Sequence, residues 1–230
     1  MHFINLNSPI KFGTSGWRGL IARDFTFENL RLAAQGLALT LKSELNRKKS
    51  DIYGKRPLVI IGYDSRFLGK EFSLATAEVL SQAGLNPLIT NRDTPTPVIA
   101  YSIRRKKAIG GVNITASHNP FAYSGFKFSM PNGSGAPIEF TKKIEVNIKK
   151  LITKKWKPKA SVIGTFNCKE FNPTKAYLSR IRKLVDLKKI GQSKLRIAVE
   201  LMHGTGRGYL DTLLEESGTK ITRFHENLNP

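Results

Sequence analysis

The stretch "ITASHNPFAYSGFKF", residues 114–128, sets Ser117, His118, Asn119 and Pro120 directly after the apolar run "AIGGVNI" and places Lys127 a few residues on. Ser, Asn and Pro are ordinary turn residues, so taken alone the stretch reads as a polar turn after a buried strand. It also gathers a hydroxyl, an imidazole, an amide and an ammonium within about one loop. No Gly-x-Ser-x-Gly elbow surrounds Ser117, so a hydrolase nucleophile is not indicated. His118 is adjacent in sequence, and neighbouring side chains in an extended loop tend to diverge, which argues against a Ser–His relay. A hydroxyl flanked by amides, Asn119 and a lysine suits phosphoryl chemistry, where the protein's work is mostly positioning and charge stabilisation.

Outward from this loop, strand and helix patterns alternate. Upstream, "RPLVIIGYDSR" reads as a buried strand ending in a polar turn at Tyr63, Asp64, Ser65 and Arg66. "GKEFSLATAEVLSQAG" reads as a helix stopped by Gly84, "LNPLIT" as a short strand, and "TPTPVIAYSIRRKK" as a helix starting after two prolines. Before them, Thr26 is a plausible N-cap for a helix whose apolar stripe is Leu30, Ala33, Ala34, Leu37, Leu41 and Leu45. Downstream, "GFKFSM" is a strand, half of a hairpin, and "FTKKIEVNIKKLI" a helix. The pattern predicts an α/β domain with a mixed sheet and helices on both faces over residues 1–151. A basic boundary is expected at 152–170. An incomplete second domain of similar type follows at 171–230, with one long helix "NPTKAYLSRIRKLVDLKKI" capped by Asn172, a buried strand "KLRIAVEL", and the turn "MHGTGRG".

The 230 residues are 40% hydrophobic, enough for a sizeable core. Cys168 stands alone, which rules out an intramolecular disulfide framework and fits a reducing cytoplasm. No long apolar run is free of charge and the start shows no secretory signal, so a cytoplasmic protein without membrane contact is expected. Lys and Arg number 38 against 17 Asp and Glu, a net charge of +21 that favours anionic partners. The densest cluster, "TKKIEVNIKKLITKKWKPK" (141–159), reads as a solvated helix face running into a charged linker. Its "KKWKPK" also interleaves Trp156 with lysines, the pattern of a basic nucleic-acid-binding module, but no binding motif accompanies it. "MHGTGRG" lacks the third glycine of a dinucleotide fingerprint and the Gly-Lys-Ser/Thr of a P-loop, and reads as a tight strand-to-helix turn.

In α/β sheets ligands sit at the carboxyl ends of the strands. "GYDSR" and "TASHNP" both follow apolar strands and are expected to face one crevice. "FGTSGWRG", residues 12–19, adds glycines that let backbone approach a ligand, with Thr14, Ser15 and the forked guanidinium of Arg18 as phosphate-binding groups.

In this order and spacing, "FGTSGWRG", "GYDSR" and "TASHNP" followed by "SGFK" resemble the α-D-phosphohexomutase superfamily, which includes phosphoglucomutases and phosphomannomutases. The resemblance covers essentially the whole chain. It implies that Ser117 carries a phosphoryl group, gives it to a phosphorylated hexose, and takes the other phosphate back from a bisphosphorylated intermediate. It implies that Arg18 and Lys127 neutralise the moving charge, that Lys127 or His118 takes part in proton transfer, and that Asn119, Thr14 and Ser15 help bind phosphate. It implies Mg²⁺ at the serine phosphate and an activator of the glucose 1,6-bisphosphate type. Many members have Asn where Ser124 stands; a small polar residue should be tolerated there. The family's aspartate-rich metal loop and its later sugar-reading and phosphate-clamping domains are not in the sequence. The chain is therefore expected to be an N-terminal part, inactive alone or retained as a non-catalytic regulatory fragment, with activity belonging to the full-length enzyme.

Overall fold

The computed structural model describes residues 10–13, 16–47 and 56–229. Thr14 and Ser15 lie outside them.

The alternation becomes a six-stranded mixed sheet. In chain order its elements are β1 (Trp17–Leu20), α1 (Phe27–Arg47), β2 (Leu58–Tyr63), α2 (Gly69–Gln82), β3 (Asn86–Thr90), α3 (Thr96–Arg105), β4 (Gly111–Ile114), β5 (Tyr123–Ser129), α4 (Ile138–Thr153) and β6 (Glu170–Phe171). The strand order is β1-β5-β4-β2-β3-β6. β4, β2, β3 and β6 run parallel, and β5 turns back antiparallel between β4 and β1.

Helices cover both faces, as the pattern predicts. The apolar stripe of α1 is buried from Leu30 to Leu41 and packs with α2 and α4 over Val59, Ile61, Val112, Ile114 and Phe126. Thr26 Oγ1 accepts from the N–H of Asn29 at 3.2 Å, so the expected cap is in place. Gly84, at φ +86°, ends α2 in the left-handed conformation that glycine adopts without strain. On the opposite face Ile99 and Ile103 of α3 pack on Ile60 and Ala108.

β6 falls at the end of the stretch expected to be a boundary. That stretch lies against α2: Ser161 donates to Glu78 through its N–H and hydroxyl at 2.7 and 2.6 Å, and Gln82 donates to the Lys159 carbonyl at 2.7 Å. Cys168 and Phe166 pack against the main core. Burial pushes the Cys168 thiol up to about 11.

Two expectations for the last sixty residues are corrected. The single long helix is two, α5 (Thr174–Arg182) and α6 (Leu187–Gln192). Asp186 restarts the chain as an N-cap, accepting from Lys189 N–H at 3.0 Å, and Leu184 and Val185 are left exposed before it. Asn172 Oδ1 does accept from the first helical N–H, that of Thr174, at 2.9 Å. The strand "KLRIAVEL" narrows to β7 (Arg196–Glu200), in which only Val199 is buried. Its sheet has one other strand, the parallel β8 (Lys220–Phe224), with α7 (Leu210–Glu216) between them. A two-stranded sheet has too few neighbours to bury a strand on both faces. α5 and α7 reach the first unit through Leu178, Tyr209 and Leu213, which pack on Val98 of α3.

Candidate active site

β2 and β4 are adjacent and parallel, so their carboxyl ends bring "GYDSR" and "TASHNP" to one edge of the sheet. They open on a cleft of about 470 Å³ whose walls include Asp64, Arg66, Thr115, Ser117 and His118. The turn after β7 lines the same cleft, with Met202, His203 and Thr205. The third polar loop of the sequence thus joins the first two. It is a strand-to-helix turn, as expected, and it also lines the site.

Ser117 is exposed and holds φ at +61°, the left-handed region that non-glycine residues rarely occupy. Such strain persists only where surrounding contacts over-determine it. Here they do. The Ser117 N–H donates to Thr115 Oγ1 at 3.0 Å, and its carbonyl accepts from Arg66 Nη2 at 3.0 Å. The same Nη2 donates to the Asn119 carbonyl at 2.6 Å, and Nη1 donates to the carbonyls of Pro120 and Tyr123 at 2.7 and 3.0 Å. Arg66 Nε pairs with Asp64 at 3.2 Å. Burial pushes the Asp64 carboxyl above the usual range, against hydrogen bonds from Thr115 and Arg66.

The hydroxyl of Ser117 lies 3.4 Å from His118 Nδ1. The two side chains do not diverge as the sequence suggests, because the left-handed turn at Ser117 swings them together; the separation is at the long end for a hydrogen bond. Arg18, on β1, reaches the loop by donating Nη1 to Asn119 Oδ1 at 2.8 Å. Asn119 therefore holds Arg18 at the loop's edge.

Lys127 sits on β5 opposite Asn113 of β4 in the antiparallel register, so both side chains share one face of the sheet. It lines a smaller pocket of about 220 Å³ that has Asn113 and Thr96 in common with the main cleft. Burial, and after it the positive charge of Arg18, pull the Lys127 ammonium below its usual range, with Asp64 opposing. Gly16, at φ +100°, lies so close over this residue that an added Cβ would stand 2.8 Å from Lys127 Cγ and 2.5 Å from the Phe126 carbonyl oxygen. Gly16 thus packs its backbone closely on Lys127, and the expected approach of this turn to a ligand stays a proposal.

The structure brings Ser117, His118, Asn119 and Arg18 into direct contact and sets Lys127 in the adjoining pocket. It adds Arg66, Asp64, Thr115 and Asn113. The motif "GYDSR" marked the loop that supplies Arg66 and Asp64, but no spacing rule shows that an arginine 51 residues before Ser117 grips its carbonyl. Among the described residues no helix is long and apolar enough to cross a membrane.

Residues 9–155 match the family model described as phosphoglucomutase/phosphomannomutase, alpha/beta/alpha domain I. A phosphoglucomutase/phosphomannomutase of Thermococcus kodakarensis is 31% identical over 212 residues, 91% of this chain and 43% of the relative. A phosphoglucosamine mutase of Thermoanaerobacter sp. is 32% identical over 215 residues, 91% of this chain and 44% of the relative. A solved structure of a phosphomannomutase-type protein from Thermus thermophilus superposes with a TM-score of 0.81 at 30% identity, covering 96% of this chain and 47% of that one. The chain thus spans less than half the length of the relatives it matches.

Proposed function

The chain belongs to the phosphoglucomutase/phosphomannomutase family, and from that premise we propose that it supplies the phosphoryl-carrying serine of a phosphohexomutase. The observation that carries this reading is Ser117 itself: an exposed hydroxyl, held left-handed at the mouth of a cleft by a bond to Thr115 Oγ1 and one from Arg66. The substrate class is a hexose phosphate. Glucose and mannose 1-phosphates fit the family description, and the phosphoglucosamine mutases among the relatives add glucosamine 1-phosphate to the set to be tried.

The residues divide the work between them. The phosphoryl group passes from Ser117 Oγ to a hydroxyl of the bound sugar phosphate; the P–O bond to serine breaks as the new P–O bond forms, the sugar hydroxyl gives up its proton, and the serine oxygen takes one up. The reverse transfer from the sugar's other phosphate restores phosphoserine and completes the isomerisation. Splitting one difficult rearrangement into two transfers is ordinary covalent catalysis. Arg18, fixed by Asn119, sets a positive charge at the loop. Lys127 adds a second from a half-buried position, where charge acts more strongly than in water. Its lowered proton affinity and the closeness of His118 to Ser117 make these two the candidates for moving the proton.

The resemblance also implies Mg²⁺. Among the described residues no three His, Cys, Asp or Glu side chains converge to hold a metal ion. Ser117 with its phosphate would offer oxygens of its own, but the described residues add no cluster that would complete a metal site.

The reading is tested on the full-length protein with glucose, mannose and glucosamine 1-phosphates and a bisphosphate activator, following the 6-phosphate product by a coupled assay. At least one sugar should turn over, and Ser117→Ala should lower the rate by several orders of magnitude. Turnover that survives Ser117→Ala unchanged would refute it.

A further inference from the structure

Arginine carries five N–H donors, and Arg66 has all five engaged: one on Asp64 Oδ2 and four on the carbonyls of Ser117, Asn119, Pro120 and Tyr123. No donor is left for a phosphate. An arginine beside a phosphoryl-carrying serine invites the role of anion ligand; the geometry here assigns it another.

A trans peptide points its N–H opposite to its C=O, and the chain has no cis peptide among the described residues. The Ser117 carbonyl shares its peptide plane with the N–H of His118, and the Pro120 carbonyl with that of Phe121. By drawing both carbonyls to itself, Arg66 turns both N–H groups away from itself. The Asn119 carbonyl belongs to the peptide bond of Pro120, which has no N–H to direct. The N–H groups of Asn119 and Tyr123 are already engaged, by the carbonyls of Ala116 and Pro120. Those of His118 and Phe121 have no hydrogen-bond partner among the described residues. Both residues line the Ser117 cleft.

We propose that Arg66 is a positioning residue that builds an anion-binding pair from the free N–H groups of His118 and Phe121, and that this pair receives the phosphoryl oxygens on Ser117. The proposal rests on the phosphoserine reading for its ligand. Arg66 acts through the backbone: it orients peptide dipoles toward where charge gathers and makes no contact with that charge. Lysine cannot take its place, because one ammonium has three donors and no fork.

The test uses the ¹⁵N-labelled 230-residue protein and inorganic phosphate as the probe, at constant ionic strength, with amide shifts followed by NMR. The His118 and Phe121 amides should move together and saturate. Arg66→Lys should weaken that binding at least tenfold. It should also speed hydrogen exchange at Asn119 and Tyr123 at least tenfold, while Val112 in β4 keeps its protection. That split separates loop positioning from general loss of fold. Unmoved His118 and Phe121 amides in the unaltered protein would overturn the proposal, and this result needs no variant to fold. Equal phosphate affinity in a folded Arg66→Lys protein would overturn it too. Neither readout involves turnover or phosphorylation of Ser117, so the inference can fail while the mutase reading stands, and the reverse.

Discussion

Arg207, in the turn after β7, forms an ion pair with Asp93 in the loop after β3, joining segments 114 residues apart. Asp93 is almost fully buried, with its second oxygen unpartnered, and the Arg207 side chain is mostly covered. The backbone of the same turn accepts from Arg92, whose Nη2 donates to the Arg207 carbonyl at 3.1 Å. This joint ties down the turn that also lines the Ser117 cleft. Asp93 also has the Arg92 Nε at 3.9 Å, but Arg207 has no other carboxylate among the described residues, so removing Asp93 strands Arg207 without its counter-charge. Asp93→Ala should cost about 3 kcal/mol in denaturant unfolding. The loss should be smaller when Arg207→Met accompanies it, because the nearer of the two cations on Asp93 is then not left unpaired; Arg92, at 3.9 Å, loses its weaker contact in both variants.

Lys127 gives a pH dependence of definite sign. Its folded pKa is depressed, chiefly by burial, so the folded state holds this proton more weakly than the unfolded chain does. The stability this contributes is full above the ordinary lysine range and is lost as pH falls through the depressed value. Lys127→Met, which removes the titration and keeps the length, should raise the melting temperature at pH 7. The gain should shrink toward pH 11. A gain that is independent of pH would mean that packing, not charge, sets the effect.

Ser124 is fully buried on β5, and its hydroxyl has no partner among the described residues. An unsatisfied buried hydroxyl is unfavourable by about 1–3 kcal/mol. Ser124→Ala should therefore be neutral or stabilising by about 1 kcal/mol in urea unfolding. Destabilisation beyond that would show that the hydroxyl has a partner.

The first sheet was legible because its signals are local and repeated. The stripe of α1, the cap at Thr26 and the stop at Gly84 each follow from a few adjacent residues. β6 was not legible: two residues, Glu170 and Phe171, carry no period, and only their pairing with β3 makes them a strand. The break between α5 and α6 was missed because the apolar spacing runs on through Leu184 and Val185, while Asp186 competes locally for the Lys189 N–H. At the site, the motifs marked Ser117, His118, Asn119, Arg18 and Lys127. The contacts that give Ser117 its conformation come from Arg66 and Thr115, and long-range hydrogen bonds leave no periodic trace in a sequence. Thr14 and Ser15 lie outside the described residues, so their expected part in phosphate binding remains a proposal.

The central claim is that Ser117 carries the phosphoryl group, and mapping that group tests it most directly. The full-length protein is incubated with glucose 1,6-bisphosphate, digested, and the phosphopeptides are sequenced by mass spectrometry. The account predicts phosphate on Ser117, in the peptide spanning "ITASHNPF", and none there in Ser117→Ala. Phosphate on another residue, with Ser117 unmodified, would contradict it.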